Sequence, residues 1–513
     1  MKTILLTRHA ATEMPDSSLY TVFSQIEQIL EREYHLLKAA GEPFSMRDME
    51  AWTLENALEV DLAITSYSKQ IEIMRTNGWK GKTIFQALGG FPRGAGKFRE
   101  IMPYLHQSDV IWFTSTADRG IYYEFIAEDK PHPEAVYLPF GVDLETYYPL
   151  KSREKREKLR ETWGLKPDDF VLVYTGRVTI EKNLPTTLRA VAELVRLGFP
   201  VKLIIVGRFE DVPFSEFCMY PIDLEQKVHT LIETLQLSGD VIILEWQSPE
   251  ELNEIFNASD AFINLTLHHD ENFGLSQIEA MSAGVPVIGT AWGGLKDTIE
   301  NLEGGFSINT WVSTAGIRID TPAVIQAIRN LIESKHLIEE QGQRGRERAV
   351  RKFSYTGYTE QVTQLVKRIL NRTTNTTAPR FSDFGARFHQ RFAEEKRQAV
   401  RYAKTKYALR PTYNGLSDPD YRQLITPYTS ELELQLTSET LLFLALNGTQ
   451  NQGFFVSDDL LYPIRIPICP EEADIINQLS PWQGVPRGTF HYSDKFLVEL
   501  VQKGIIGISG IKP

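Results

Sequence analysis

Two glutamates eight positions apart, Glu271 and Glu279, stand in the stretch with the clearest chemical pattern. Gly274 lies between them and lets the backbone approach a ligand closely, because it has no Cβ. A helix predicted from about Leu275 to Ala283 stops at a glycine with a proline beyond, the usual order at a helix end. The free N–H groups of residues 273–275 then form an anion site at the start of that helix. A carboxylate, a phosphate site and a second carboxylate suit a sugar, its diphosphate and a ribose.

The elements around these residues alternate between strand and helix. Strand-like runs, DAFINL and VPVIG, precede and follow the predicted helix. Earlier in the chain, the strand-like runs KTILLT, DLAIT, KTIFQAL and DVIWFTS are separated by helical stretches, the first from about Ser17 to Ala40. Strands that alternate with helices predict a parallel sheet, so we expect an α/β protein.

The string ENFGLSQIEAMSAGVPVIG resembles the retaining GT-B glycosyltransferases, family 4 in particular. The mark of that family is a Glu, seven residues, Glu element followed by an EAM…G.PV run. The resemblance implies that Glu271 hydrogen-bonds hydroxyls of the donor sugar and that Glu279 binds the ribose. It also implies that the amides of Phe273, Gly274 and Leu275 meet the sugar and diphosphate. Without the resemblance, the same stretch is an ordinary βαβ unit with a solvated glutamate in its helix.

The loop after the strand-like run FVLVYT carries two cations, Arg177 directly after Gly176 and Lys182 five residues later. They match residue by residue a GR…EK pattern of family 4, whose two cations neutralise the donor diphosphate. A departing nucleoside diphosphate builds negative charge on phosphate oxygens, which fixed donors must stabilise where no metal does so. The resemblance therefore implies that Arg177 and Lys182 are catalytic. On the residues alone, they could equally be two solvated loop cations.

Further glycines extend the resemblance. Gly207 ends the run KLIIVG and resembles the family's glycine at the mouth of the nucleotide site. Gly293 and Gly294 match paired glycines before a helix, whose missing side chains let the sugar and phosphates approach. The residues from about Leu244 to Gln247 correspond to those that hold the nucleobase, largely through backbone contacts. In a plainer interpretation the paired glycines form only a βα turn.

The first part of the chain departs from the family pattern. The loop TRHAATEMPDSS, after the first strand, lacks the glycines that usually stand there. Gln86 corresponds to a position where many relatives have a histidine facing the donor sugar. His9 and His106 are candidate replacements, although a lone histidine is more often structural. The basic, glycine-rich stretch from Gly89 to Arg99 could hold phosphate or an acidic acceptor, or be a solvated loop.

Composition limits the classes of protein to consider. The chain has 513 residues, 42% hydrophobic and 24% charged, which is an ordinary globular balance. A formal net charge of −12 argues against a general nucleic-acid binder. The two cysteines, Cys218 and Cys469, are too few for a disulfide framework. We therefore expect a protein of the reducing cytoplasm. No run approaches the ~20 apolar residues of a membrane span. Any membrane contact would be peripheral, at the inner face.

The sequence divides into five segments. Residues 1–145 are predicted to form an acceptor-side Rossmann-like domain and residues 146–350 a nucleotide-sugar domain. Residues 351–370 match a helix that crosses back to the first domain, and residues 371–380 form a polar linker. Residues 381–513 form an appended α+β region, to which the resemblance does not extend. Its basic opening stretch could contact a membrane surface or a protein partner, or cover the adjacent domain.

The resemblance as a whole implies a GT-B fold, with two Rossmann-like domains facing a cleft. The implied activity is transfer of a sugar from a nucleotide-sugar, with retention of configuration, to a glycan, lipid-linked or peptide acceptor. The nucleotide-sugar is a co-substrate, and no separate cofactor is implied. No metal is implied either, because no Asp-x-Asp pair stands near the diphosphate residues. The alternative is a catalytically inactive partner subunit that binds the nucleotide-sugar, which the glycine-free first loop and Gln86 favour.

Overall fold

A computed structural model describes most of the chain. The residues outside its description are 8–17, 40–45, 90–97, 99, 128–131, 151, 211–222, 268–270, 315, 378–418, 431–435, 458–464 and 510–513. The chain forms two compact units. Unit 1 comprises Met1–Leu144, His269–Leu275 and Val350–Ala393, and unit 2 comprises Glu145–His268, Ser276–Ala349 and Glu394–Pro513.

Unit 1 is built on a six-stranded parallel sheet with the order β2-β1-β3-β4-β5-β6. The strands are β1 (Thr3–Thr7), β2 (His35–Ala39), β3 (Leu62–Thr65), β4 (Lys82–Gln86), β5 (Val110–Phe113) and β6 (Glu134–Tyr137). The helices before residue 145 are α1 (Ser18–Leu30), α2 (Met46–Asn56), α3 (Ser68–Thr76) and α4 (Thr116–Ile121). Strands β3 and β5 are buried along their whole length, as expected for a parallel sheet covered on both faces.

The predicted helix from about Ser17 to Ala40 is wrong in its second half. Helix α1 ends at Leu30, and residues His35–Ala39 form the edge strand β2, which pairs in parallel with β1. The run HLLKA is short and only partly apolar, and periodicity alone does not separate such a run from the end of a helix. Pairing with β1 along five residues decides in favour of the strand.

Unit 2 contains a second six-stranded parallel sheet, ordered β12-β11-β10-β7-β8-β9. Its strands are β7 (Phe170–Thr175), β8 (Val201–Val206), β9 (Val241–Leu244), β10 (Ala261–Asn264), β11 (Val287–Thr290) and β12 (Gly305–Ile308). The helices of this stretch are α5 (Arg153–Thr162), α6 (Leu184–Arg196), α7 (Leu224–Thr234), α8 (Pro249–Ala258), α9 (Leu275–Ser282), α10 (Leu295–Thr298) and α11 (Thr321–Glu333). A hairpin of β13 (Thr310–Ser313) and β14 (Gly316–Ile319) follows β12.

The strand order of unit 2 defines where a ligand is expected. Strands β7 and β10 are neighbours, although β8 and β9 come between them in sequence. The direction in which the chain crosses the sheet therefore reverses between β7 and β10. In open α/β sheets, ligands bind outside the carboxyl ends of the strands at such a reversal. The loops that leave β7 and β10 are therefore the first candidates for a binding site.

The helix predicted from about Leu275 to Ala283 is confirmed as α9. Gly284 follows it with φ of +76°, in the left-handed region that favours glycine, and its N–H donates to the Met281 carbonyl. Two longer helices come later, α12 (Lys335–Phe353) and α13 (Tyr355–Leu370). Helix α13 packs within unit 1, where the Lys82 amine donates to the Leu370 carbonyl at 3.0 Å.

The described part of the appended region mixes helices with short antiparallel sheets. It contains α14 (Pro419–Ile425), β15 (Leu441–Leu444), β16 (Gly448–Asn451), β17 (Phe454–Ser457), β18 (Arg465–Pro467), α15 (Pro470–Gln478), β19 (Val485–Pro486), α16 (Asp494–Lys503) and β20 (Ile506–Ser509). The two sheets are ordered β19-β15-β20 and β16-β17-β18. This region shares its apolar core with Trp311 of β13, whose ring lies 6.0 Å from that of Phe443. The appended region is thus packed onto the β13–β14 hairpin of unit 2.

Candidate functional site

The loop after β7 is tied to the loop after β10. The carbonyl oxygen of Glu181 accepts hydrogen bonds from the Leu267 N–H and the Thr266 hydroxyl, both at 3.2 Å. The Asn183 side-chain amide donates to the Leu265 carbonyl at 3.0 Å. Asn183 has φ of +56°, a conformation that asparagine adopts more readily than most residues. These contacts hold the cation-bearing loop at the reversal point of the sheet.

Two predicted glycines lie where the loops after β7 and β8 approach each other. Gly176 and Gly207 leave the carboxyl ends of β7 and β8 with φ of +135° and +143°. The Gly176 N–H donates to the Val206 carbonyl at 3.0 Å, and the Gly207 N–H donates to the Leu244 carbonyl at 3.0 Å. A Cβ at residue 207 would lie 2.0 Å from the carbonyl oxygen of Gly176. The close approach of two backbones therefore demands glycine at residue 207, whatever binds beside it.

Arg177 lies between these loops with a carboxylate partner that the sequence analysis missed. Its Nη1 is 2.8 Å from Oε2 of Glu210, and its side chain is 40% exposed. The Tyr174 hydroxyl donates to the Arg177 carbonyl at 2.7 Å and fixes the backbone there. Lys182 is half-buried at the end of a 3-10 turn, Ile180–Lys182. Both predicted cations thus lie in the loop after β7, which is hydrogen-bonded to the loop after β10.

The pKa of the Glu279 carboxyl group is raised toward neutral pH. Burial raises its pKa from 4.5 to about 7, and a hydrogen bond with the side chain of Tyr147 opposes the shift only in part. Tyr147 is itself buried, and its carbonyl accepts a hydrogen bond from Nη1 of Arg346 at 2.7 Å. A carboxyl group with this pKa changes its charge near neutral pH in response to small changes around it. Hydroxyl groups that donate to it would favour the ionised form.

The segment after Glu271 is anchored in unit 1. The ring of Phe273 meets those of Phe140 and Phe353 edge to face, with centroids 5.3 and 5.9 Å apart. The Thr114 hydroxyl donates to the Asn272 carbonyl at 3.2 Å. Phe273 is therefore an apolar anchor, and the hydrogen bond to Asn272 fixes the backbone just before it.

The predicted site residues are divided between the two units. Those in unit 1 are Glu271, Phe273, Gly274 and Leu275. Those in unit 2 are Gly176, Arg177, Lys182, Gly207, Glu279, Gly293 and Gly294. Glu271 is buried, and Gly274 has φ of +88°, so the glycine suits its position before α9. Within unit 2, the structure places the predicted cations and glycines in the loops that leave the carboxyl ends of β7, β8 and β11.

The paired glycines after β11 contact the appended region. Gly293 has φ of +52°, and its N–H donates to the Tyr428 carbonyl at 2.8 Å. The rings of Trp292 and Tyr428 are both fully buried, with centroids 5.4 Å apart. Gly294 precedes the short helix α10. The sequence offered no signal that this turn is bound by residues so far along the chain.

The end of β9 presents an exposed aromatic side chain. Strand β9 ends at Leu244, where the sequence analysis expects the nucleobase. Trp246, two residues further on, is 46% exposed, which is unusual for so large an apolar side chain. An indole face at this position could stack on a planar base.

The candidate replacements for the histidine of relatives have different outcomes. Burial and the nearby Arg75 lower the pKa of His106 to about 4. Its backbone N–H donates at 2.7 Å to Asp109, which also pairs with Arg75. The surroundings of His106 are therefore those of a structural residue beside a buried ion pair. His9 and most of the stretch from Gly89 to Arg99 lie outside the described residues.

Gln86 ends β4 in unit 1 and is 2% exposed. Neither polar atom of its side-chain amide has a hydrogen-bond partner among the described residues. Burying an amide without partners costs free energy, so such a group is uncommon in a folded protein.

Neither a metal-binding cluster nor a membrane-spanning helix occurs among the described residues. Among them, no three or more His, Cys, Asp or Glu side chains gather in a group that could hold a metal ion. No helix in this part of the chain is long and apolar enough to cross a membrane.

Comparison with solved structures identifies the fold class as GT-B, two Rossmann-like α/β domains. Sucrose-phosphate synthase from Thermosynechococcus elongatus superposes with a TM-score of 0.58 over 72% of this chain and 99% of that one, at 16% identity. Anabaena HepE, solved in complex with UDP and glucose, gives a TM-score of 0.54 over 72% and 99%, at 17% identity. At these identities the likeness concerns the fold alone.

Comparison of sequences gives a narrower match. The profile of the family described as "Glycosyl transferases group 1" matches residues 155–348. A D-inositol 3-phosphate glycosyltransferase of Rhodococcus erythropolis is 29% identical over 229 residues, 44% of this chain and 48% of the relative. A lipopolysaccharide 1,2-N-acetylglucosaminetransferase of Salmonella typhimurium is 27% identical over 175 residues, 34% and 43% of the two chains. The chain thus spans about half the length of the curated relatives it matches.

Proposed function

We propose that this protein is a glycosyltransferase that moves a sugar from a nucleoside diphosphate to an acceptor, with retention of anomeric configuration. The observation that carries the proposal is the loop after β7, which holds Arg177 and Lys182 at the reversal point of the unit 2 sheet. Glycosyltransferase names among the relatives support it, as does UDP in the HepE structure.

The proposed chemistry centres on the leaving group. The bond between the anomeric carbon and the diphosphate oxygen breaks, and an acceptor hydroxyl attacks from the same face. Its proton passes to an oxygen of the departing diphosphate. Arg177 and Lys182 stabilise the negative charge that builds on the phosphates, and the amides of residues 273–275 assist them. No metal ion takes part in this scheme.

The remaining residues orient the donor. Glu271 accepts hydrogen bonds from sugar hydroxyls, and Glu279 accepts them from the ribose. Trp246 stacks on the base, a contact worth ~1–3 kcal/mol where aromatic side chains stack on the bases of nucleic acids. The ion pair of Arg177 with Glu210 must open, or share its cation, when a diphosphate arrives. Because Arg177 is partly exposed, that ion pair is weak enough to be displaced.

A second candidate function is an inactive subunit that binds the nucleotide-sugar. The specific observation in its favour is Gln86, which occupies the position of the histidine in relatives and lacks partners among the described residues. Such a protein would bind a nucleotide and never release a sugar from it. Slow hydrolysis of the donor separates the two functions, since only a catalytic site breaks the anomeric bond.

The test is a binding and hydrolysis screen of UDP-, GDP- and ADP-sugars with the full chain. We expect one base to bind and its sugar to be released slowly. Arg177→Ala should lower turnover ~10²–10³-fold, as loss of a fixed charge-stabilising donor does elsewhere. Arg196→Ala is the matched control, because Arg196 also pairs with a glutamate, Glu193, but lies at the exposed end of α6. Binding without hydrolysis would favour the inactive subunit, and no binding would reject both functions.

A further inference from the structure

Residues Thr426–Ser430 of the appended region, here called the 426–430 segment, bind the turn between β11 and α10. The Tyr428 carbonyl accepts the Gly293 N–H, and the Tyr428 ring packs against that of Trp292. The Ser430 hydroxyl accepts from the Thr310 N–H at 2.7 Å and donates to the Thr310 carbonyl at 3.1 Å. The segment therefore contacts the turn itself, at Trp292 and Gly293, and also the start of the neighbouring strand β13.

Lys296, in the short helix α10, also binds the 426–430 segment. Its amine donates to the Pro427 carbonyl at 2.6 Å and to the Thr429 carbonyl at 2.9 Å. Hydrogen bonds from a charged donor to buried or half-buried carbonyls are stronger than those between neutral groups. One cation of α10 thus bridges two carbonyls that flank Tyr428 in sequence.

These contacts add to the hydrogen bonds that anchor the start of the turn, where the Ala291 N–H donates to the Ile308 carbonyl and the Thr310 hydroxyl donates to the Ala291 carbonyl, both at 2.7 Å. Gly293 and Gly294 have no side chains, and α10 has only four residues. A turn of this kind adopts many backbone conformations unless external contacts select one. The carbonyls of the 426–430 segment contribute to that selection at the paired glycines, through the Gly293 N–H and the Lys296 amine.

We propose that the 426–430 segment positions the turn after β11 for the nucleotide-sugar donor, with Lys296 as the positioning residue. The inference rests on the proposed function, because it assigns the turn to the donor site of that reaction. Lys296 acts through the backbone of the turn and does not touch the reacting atoms. The appended region is in this respect part of the donor domain.

A contact elsewhere in the same interface supplies the control. The Ser509 hydroxyl of β20 bonds to both carboxylate oxygens of Asp320, at 2.9 and 3.0 Å. Asp320 is fully buried and caps α11. Ser509→Ala therefore weakens the attachment of the appended region to unit 2 without touching the turn after β11.

The experiment compares wild type, Lys296→Met, Lys296→Arg and Ser509→Ala in the full chain. Binding of UDP, GDP and ADP is titrated, the KM and kcat of donor hydrolysis are measured, and thermal midpoints are recorded. Lys296→Met should raise the Kd of the nucleotide and the KM about tenfold, the size expected from loss of charge-assisted hydrogen bonds. Its kcat should fall less than its KM rises. Lys296→Arg keeps a cation that can reach two carbonyls and should restore binding to within about threefold.

Several outcomes would overturn the inference. Lys296→Met that binds nucleotide as well as wild type, or more tightly, would show that the contact does not position the donor turn. If Ser509→Ala lost as much affinity as Lys296→Met, the loss would be explained by general destabilisation of the interface and not by the position of the turn. A wild type that binds none of the three nucleotides would instead reject the proposed function. The two failures are therefore distinguishable.

Discussion

The two parallel sheets of this protein carry different kinds of residue at the carboxyl ends of their strands. At the carboxyl ends of the unit 2 strands, the loops carry Arg177, Lys182 and glycines. The strand ends of unit 1 carry the buried neutral residues Thr7, Thr65, Gln86 and Thr114, while most of the loops after β1 and β4 lies outside the described residues. Sheets of the same size and type can therefore serve different ligands, because the loops decide what is bound. A charged edge suits a diphosphate, and a neutral polar edge suits hydroxyl groups.

The backbones at the two edges also differ. In unit 2, the loops after β7 and β8 approach so closely that Gly207 has no room for a Cβ. In unit 1, polar side chains such as Thr7 occupy the strand ends, and its hydroxyl donates to the side-chain oxygen of Gln70 at 2.5 Å. The unit 2 edge is thus shaped by the close approach of two backbones. The unit 1 edge is shaped by side chains.

The largest expected effect comes from breaking the backbone approach in unit 2. Gly207→Ala places a Cβ against the Gly176 carbonyl at a positive φ, so we expect it to lower the free energy of unfolding of unit 2 by roughly 3–5 kcal/mol. Urea unfolding measures this loss. Donor binding should disappear with it, since Arg177 follows Gly176 directly.

The control for this prediction is Gly198→Ala. Gly198 also has a positive φ, +88°, but a Cβ there would meet nothing within 4 Å. Only the backbone strain should remain, about 1–2 kcal/mol. Equal losses in the two variants would mean that the approach of the two loops is not what requires glycine at residue 207.

The parts of the site that the sequence predicted are those written in short contiguous stretches. Strand β7, its loop and α6 fall within about thirty residues, as do β10, its loop and α9, so short motifs that resemble a known family sufficed to propose the cations and both glutamates. The α/β class followed from alternation of strands and helices. Strand β2 was missed because five residues of mixed polarity after a helix do not reveal their partner.

Other features depend on pairings that only the folded chain reveals. Glu210 faces Arg177 across two loops, and the 426–430 segment reaches Gly293 from beyond residue 420. The resemblance placed Gly207 at the mouth of the nucleotide site, whereas the structure shows a packing reason for glycine there, the approach of the Gly176 carbonyl. The Glu279 pKa also comes from burial and Tyr147, neither of which is visible in local spacing.

A second prediction uses the titration of Glu279 to sharpen the contrast between the edges. Ribose hydroxyls donate to the ionised carboxylate, so binding should require loss of a proton from a group with pKa about 7. Affinity for the intact nucleotide-sugar should therefore rise about thirtyfold from pH 5.5 to pH 8. Isothermal titration in buffers of different ionisation enthalpy should show proton release on binding near pH 6.

The control variants fix the sign of this effect. Glu279→Gln should bind with a flat pH profile, and Tyr147→Phe should move the profile to higher pH, because it removes the hydrogen bond that opposes the raised pKa. Without ligand, the native state holds the proton more tightly than the unfolded chain. Stability from this group is therefore full below pH 4.5 and falls by at most about 3 kcal/mol as pH rises to about 7. A wild-type affinity independent of pH would contradict the assignment of Glu279 to the ribose.

The smallest expected effect concerns the neutral edge of unit 1. Gln86→Met replaces a buried amide that lacks partners among the described residues with an apolar side chain of similar shape, so we expect stability to rise by about 1 kcal/mol. Gln70→Met is the matched control, because Gln70 is equally buried but its oxygen accepts the Thr7 hydroxyl, and stability should fall by about 1 kcal/mol. Urea unfolding measures both changes in stability, with amide hydrogen exchange in β4 and α3 as the local probe.

Activity then shows whether the amide of Gln86 is kept for a substrate. A residue retained at a cost in stability is expected where it contacts a ligand, so Gln86→Met should lower sugar transfer while it leaves nucleotide binding within about twofold of wild type. This result would separate the two edges by function as well as by charge. If Gln86→Met were instead as active as wild type and no more stable, the amide would neither contact a substrate nor lower the stability of the fold. The contrast between the two sheets would then rest on unit 2 alone.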